Sequence, residues 1–273
     1  MSVGADNAGE RTRVKLSELI ASVRANAGTV AASVGDDWLQ GRSVFGGLQA
    51  AIALAAMRTL IPVQTPLRTL QMTFIAPIES GLVTANARVL RAGKSATHAE
   101  ARLEGPDGLQ AQAIGVFGVG RDSIVRQPLP APAPFTGARR RLGYAPGMPS
   151  FLQHFDADLL TGAAPFANAN VVRNVYEIGL RDSGPMTEAH LLALADFVPP
   201  VALSWMPKLV PGSSLTWMLE LLDHGFAAQP LSGWRVASDL VAARDGYTSQ
   251  STTLWAPDAT PVALSRQSMV VFG

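Results

Sequence analysis

The chain has 273 residues, 48% hydrophobic and 16% charged, with 22 basic against 21 acidic groups and no cysteine. That much apolar material can bury a large core, which excludes a disordered protein, and a formal charge of +1 leaves no field to steer the chain to nucleic acid or acidic membranes. Without cysteine there are no disulfides, thiolate metal sites or cysteine nucleophile, and the four histidines are not spaced as ligands, so neither metal nor other cofactor is expected.

At roughly 150 residues per domain, the length suggests about two domains. Residues 1–13 are small and polar, unlike a signal peptide. The longest apolar helical candidates, residues 50–57 and 191–203, fall short of the ~20 residues that span a bilayer. A soluble, cytoplasmic chain without membrane contact is expected.

In chain order, the first predicted element is a helix at 47–60, opened by the Gly46-Gly47 turn and stopped before Pro62. Strands are predicted at 67–75, 82–90, 96–103 and 109–117, rich in Val, Thr, Ile and Phe and separated by Pro/Gly turns. Residues 126–149 read as a semi-rigid connector, with prolines at 128, 130, 132 and 134. Its Arg139-Arg140-Arg141 cluster reads as a solvated face. Beyond it come strands at 150–160 and 171–180 and a helix at 187–198 that meets Pro199-Pro200. Four more strands follow at 213–221, 234–242, 248–255 and 262–272.

Both sides of the connector follow the same order of elements, and their closing segments, 112–118 and 267–273, look like copies that pair Gln112 with Gln267. The organisation expected is an N-terminal unit over 1–125, the connector over 126–149 and a C-terminal unit over 150–273. Both long helices are apolar on nearly every face, which requires burial on all sides. A helix wrapped by an antiparallel sheet meets that requirement, so the fold class is α+β, two fused helix-in-sheet units. Low surface charge and open sheet edges suggest a homo-oligomer.

Familiar catalytic motifs are absent: there is no GxSxG, HExxH, phosphate loop or dinucleotide fingerprint. Asp196 stands out because it lies in an otherwise apolar helix, where a carboxylate is costly unless hydrogen-bonded or facing a cavity. The first helix has no acidic residue, so the duplication is broken at this point. Ser214 and Thr216 alternate on the next strand and are expected to share one face. The Gly46 and Gly47 N–H groups at a helix start can hold an anion or a developing oxyanion, or serve only as a tight turn.

Val44-Phe45-Gly46-Gly47, Thr73-Phe74-Ile75-Ala76-Pro77, Leu194-Ala195-Asp196-Phe197, Ser214-Leu215-Thr216 and the Asp258 to Gln267 spacing together resemble bacterial acyl-CoA thioesterase II over residues 35–273. The resemblance implies a double hotdog fold and hydrolysis of a fatty acyl-CoA or related thioester. It also implies a water held by Asp196, Ser214 and Gln267, with Thr216 as the alternative hydroxyl and Gly46 and Gly47 near the oxyanion. Thr216-Trp217 stand where the family often has Asp-His, which leaves open an acyl-CoA-binding protein without turnover. An enoyl-CoA hydratase is disfavoured, because His190 precedes Asp196 by six residues, about 240° around a helix.

Overall fold

A computed structural model describes residues 13–272; the polar stretch 1–12 and Gly273 lie outside it. The first half contains α1 (Leu16–Ala21), β1 (Arg24–Asn26), β2 (Thr29–Val34), β3 (Leu39–Gln40), β4 (Ser43–Val44) and α2 (Gly46–Arg58), then β5 (Leu67–Phe74), β6 (Gly81–Ala92), β7 (Thr97–Gly105) and β8 (Gly108–Phe117). The second contains β9 (Arg140–Leu142), β10 (Phe155–Thr161), β11 (Arg173–Leu180), α3 (Glu188–Ala195), β12 (Gly212–Leu221), β13 (Trp234–Arg244), β14 (Tyr247–Trp255) and β15 (Pro261–Val271).

Thirteen strands form one antiparallel sheet in the order β1-β2-β6-β7-β8-β5-β12-β15-β14-β13-β11-β10-β9. The halves join at β5 and β12, where Thr216 faces Thr73 and Leu219 faces Leu70. Each of these strands carries one bulge, at Arg68 in β5 and at Leu215 in β12. Aligning the bulges places Leu70 on Trp217, and the pair Trp217–Met72 then maps onto Leu70–Leu219, itself a pair in the sheet. The register is therefore two-fold symmetric across the junction.

That symmetry corrects the repeat alignment read from sequence. Gln267 lies opposite Trp217, so its counterpart is Gly115, which lies opposite Leu70. Gln112 instead faces Thr73, on the side of β8 away from the core residues Ala111 and Ala113. The similar endings of the two halves masked a shift of three positions.

The apolar helices are buried as expected. Leu48, Ala50, Ile52, Ala53 and Met57 of α2 are sealed, as are Leu191 to Leu194 of α3. The two helices pack on each other, with Gly47 so close to Ala193 that a Cβ at Gly47 would stand 3.0 Å from its Cα. At the other end, Arg58 pairs with Glu188 through two bonds of 2.8 and 2.5 Å. The rings of Phe45 and Phe151 stack at 4.1 Å, and Phe155 lies 5.0 Å from Phe197, closing a cluster between the halves.

Three local readings change. The helix expected over 187–198 ends at Ala195, because Pro199 and Pro200 bring no N–H and hold their predecessors extended. Residues Val201–Trp205 form a separate 3-10 turn. The strand expected at 150–160 begins only at Phe155, after a 3-10 turn over Ser150–His154. The elements α1 and β1 to β4 had no counterpart in the sequence reading, since this stretch has short runs and weak periodicity.

The connector lies against the C-terminal half. Trp255 donates to the Pro130 carbonyl at 3.0 Å, and Arg235 donates to Ala133 at 3.0 Å. Residues 140–142 add an edge strand beside β10. Arg139 pairs with Glu177 and Arg141 with Asp156, so these two arginines face protein carboxylates.

Candidate active site

The site forms where the C-terminal end of α3 meets the N-terminal end of α2 over the inner face of the sheet. Asp196 is the residue that caps α3, with φ −97° and ψ 2°, and its N–H donates to Leu192 at 3.2 Å. The sequence reading put it inside the helix; the structure puts it one step beyond, where the backbone turns and the side chain swings toward α2.

Two donors hold the carboxylate. Gln267 Nε2 donates to Asp196 Oδ1 at 2.5 Å, and the Gly47 N–H donates from the first turn of α2. Among the described residues, no cation pairs with it. Burial pushes the carboxyl up to about 7, against the Gln267 and Gly47 hydrogen bonds that pull it down. The residue retains some accessible surface.

Gln267 is 5% exposed and comes from the middle of β15, on the face the helices cover. Trp217, directly opposite on β12, is sealed beneath it and donates to Ser265 Oγ at 2.7 Å. Trp217 thus fills space against the strand that carries the amide and leaves no polar group bare.

Ser214 and Thr216 do not share a face. The bulge at Leu215 inserts one residue between them and reverses the alternation. Ser214 lies opposite Met269, a buried residue on the Gln267 side. Thr216 lies opposite Ser268 and Thr73 on the outer side and is exposed. The structure therefore joins Asp196 and Gln267 in direct contact and sets Ser214 on their face without a bond to either. Thr216 is removed from them.

Gly46 and Gly47 divide the task the sequence assigned to both. Gly47 spends its N–H on Asp196. The Gly46 N–H is among the first-turn donors that a helix leaves unpaired, and none of the described backbone bonds uses it. A Cβ at Gly46 would stand 2.6 Å from Asp196 Oδ2 and 3.2 Å from the Phe74 ring, so only glycine admits this approach. This contact between the halves was invisible in sequence, because it joins residues 150 positions apart. His190 points elsewhere: its ring bonds Thr187 at 2.7 Å and Asp182 at 3.1 Å.

A helix enclosed by an antiparallel sheet, repeated within one chain, with a cation-free carboxylate held where one helix ends and the other begins, defines a double hotdog protein. Comparison with known proteins agrees. The family model for the acyl-CoA thioesterase N-terminal domain matches residues 34–118, and that for the C-terminal domain matches residues 126–271. The chain belongs to the acyl-CoA thioesterase family. Among curated proteins, none matches it.

Among solved structures, a conserved hot dog protein of unknown function from Alicyclobacillus acidocaldarius is similar with TM-score 0.83 and 19% identity, over 94% of this chain and 98% of that one. A tesB protein from Mycobacterium avium subs paratuberculosis is similar with TM-score 0.73 and 14% identity, over 95% and 100%. An acyl-CoA thioesterase II, TesB2, from Mycobacterium marinum has TM-score 0.69 and 16% identity, over 93% and 97%. These likenesses share the fold. The family assignment makes the chain a thioester hydrolase acting on acyl-CoA.

Proposed function

We propose that the chain hydrolyses fatty acyl-CoA to the free acid and CoA at Asp196, with a water held by Ser214 and Gln267. The observation that carries this reading is a carboxylate without a cation, gripped by an amide and a helix N–H, whose affinity for protons lies near neutrality. Such a group is poised as a general base.

In the reaction, Asp196 takes a proton from the water as the water oxygen bonds to the thioester carbonyl carbon. The carbonyl oxygen becomes an oxyanion, and the Gly46 N–H at the start of α2 is the donor available to it. The tetrahedral intermediate then collapses, the carbon–sulfur bond breaks, and the CoA thiolate recovers the proton from Asp196. A thiolate leaves readily, so no covalent enzyme intermediate is needed.

The test is thiol release from a panel of acyl-CoAs of increasing chain length. Turnover that rises with chain length supports the fatty acyl reading. Binding without turnover at every length contradicts it.

The sidedness of β12 gives a sharper expectation. Ser214→Ala should lower kcat by about 10- to 100-fold, comparable with losing a weak water-holding hydrogen bond. Thr216→Ala, on the outer face, should leave kcat within about twofold. Equal effects of the two variants on acyl-CoA turnover contradict the assignment of Ser214.

The pH dependence follows from the base. Asp196 works ionised, so kcat/KM should rise about tenfold per pH unit below about 7 and level off above it. A rate already flat between pH 5 and 8 contradicts the assignment of Asp196 as base.

The chain is further read as cytoplasmic and self-associating. Among the described residues, no helix is long and apolar enough to cross a membrane. Leu82, Val89 and Leu90 stand exposed along β6, and light scattering in solution tests whether a second copy covers them.

A further inference from the structure

The inner face of the sheet changes character between the two halves. On β7 and β8 it carries Ala99, Ala101, Ala111 and Ala113, all buried. On β14 and β15 it carries Thr248, Gln250, Thr252 and Gln267, also buried. Thr252 is satisfied by Ser238 at 2.6 Å and Gln267 by Asp196. Thr248 Oγ1 and Gln250 Nε2 have no hydrogen-bond partner, although the two residues are only 6% and 1% exposed.

The free end of Gln250 is fixed by its other end. Gln250 Oε1 accepts from the Val201 N–H at 3.0 Å, so the NH₂ is the group left without a partner. Bare buried donors are rare, and where there is room they mark an ordered water. A surface cavity of about 250 Å³ reaches the first of these residues, lined by Ala202, Trp205, Leu240, Ala243 and Thr248. Gln250 lies two residues further along β14, on the same face and directly across the ladder from Gln267. Directly paired side chains have Cβ atoms about 5 Å apart, a span one water bridges.

We propose that Thr248 and Gln250 form a buried water site linking this cavity to Gln267, a rear entrance for the water consumed at Asp196, with Gln250 a positioning residue. The inference rests on the thioesterase reading above. Hydrolysis consumes one water per turnover, and a rear site would hold that water beside Gln267 while acyl-CoA covers Asp196. The Thr248 hydroxyl can both accept from and donate to water, so it can hold one at the cavity side of the pair. Water on Gln250 Nε2 can then donate to Gln267 Oε1, which keeps Gln267 Nε2 turned toward Asp196.

The test pairs crystallography with kinetics. A crystal structure of the wild type should show an ordered water within about 3.2 Å of Gln250 Nε2, continued by a second at Thr248 Oγ1. Thr248→Val, which keeps the side-chain shape, should lose the second water. Gln250→Met and Thr248→Val should each lower kcat about tenfold with KM unchanged, and Gln250→Met should move the midpoint of the kcat pH profile. A dry Gln250 amide in the wild type overturns the proposal, as do variants with wild-type kcat and pH profile. If the wild type hydrolyses no acyl-CoA, the reading of Asp196 fails and the resupply role falls with it. An active wild type with unaffected variants defeats this inference alone. Thr248→Val keeps the test valid if Gln250→Met, having lost the Val201 contact, fails to fold.

Discussion

Asp196→Asn is expected to lower acyl-CoA hydrolysis by about three orders of magnitude, within the range of about 10²- to 10⁴-fold for removing a general base. The amide is nearly the same shape, and its oxygen can still accept from Gln267, so substrate binding should be little changed. What disappears is the capacity to take a proton from water. Stability should move in the opposite direction from activity.

The reason is linkage. Burial raises the Asp196 carboxyl from 3.8 to about 7, so between those pH values the native state keeps a proton that the unfolded chain releases. Native stability therefore falls as pH rises from about 4 to about 7. The cost at high pH is on the order of 4 kcal/mol, at about 1.4 kcal/mol per pH unit, an upper bound because the residue keeps some solvent contact. The Asn variant has no such proton. Thermal melts across this range should show the wild type losing stability relative to the variant as pH rises. A variant with most of the wild-type kcat, or parallel melting curves, contradicts the assignment.

Gly46→Ala is expected to lower kcat by about 100-fold or more while the protein still folds. Gly46 has no unusual backbone conformation to maintain, since its φ is not positive. Its value is the empty space at its Cα. An added methyl would meet Asp196 Oδ2 at 2.6 Å and two atoms of the Phe74 ring at 3.2 and 3.3 Å. The carboxylate must move, and a displacement of about 1 Å in a reacting group costs about 100-fold in rate. Overpacking of this kind destabilises by about 1–3 kcal/mol, so a lowered melting temperature should accompany the loss. Circular dichroism and thiol release on the same preparation separate misfolding from misplacement. Near-normal kcat in a folded Gly46→Ala protein contradicts the geometry described for the α2–α3 junction.

Much of this architecture was legible from residue pattern alone. Helices apolar on every face demanded enclosure, and α2 and α3 are enclosed. Runs of Val, Thr and Ile between Pro/Gly turns gave the eight strands of the two repeats to within about two residues at most ends. Asp196 was conspicuous because nothing in an apolar segment explains an acid.

The features that escaped depend on register and on contacts between distant segments. A single bulged residue, Leu215, decides that Ser214 faces inward and Thr216 outward, and strand alternation read from sequence carries no mark of it. The false pairing of Gln112 with Gln267 arose the same way, from similar endings whose true partners are set across the sheet. The grip of Gly47 on Asp196 brings together the two repeats, and only the packing of α2 on α3 creates it. The unpartnered Gln250 amide is likewise a property of packing, since a glutamine on a strand ordinarily finds a partner or water.

A single turnover in ¹⁸O-enriched water, with the acid product and the peptide containing Asp196 analysed by mass spectrometry, bears most directly on whether a water attacks the thioester itself. The expected result is heavy oxygen in the carboxylate of the first product molecule and an unlabelled Asp196. A first product without label, together with heavy oxygen incorporated into Asp196, would mean that this side chain bonds to the acyl group and that the mechanism described is wrong.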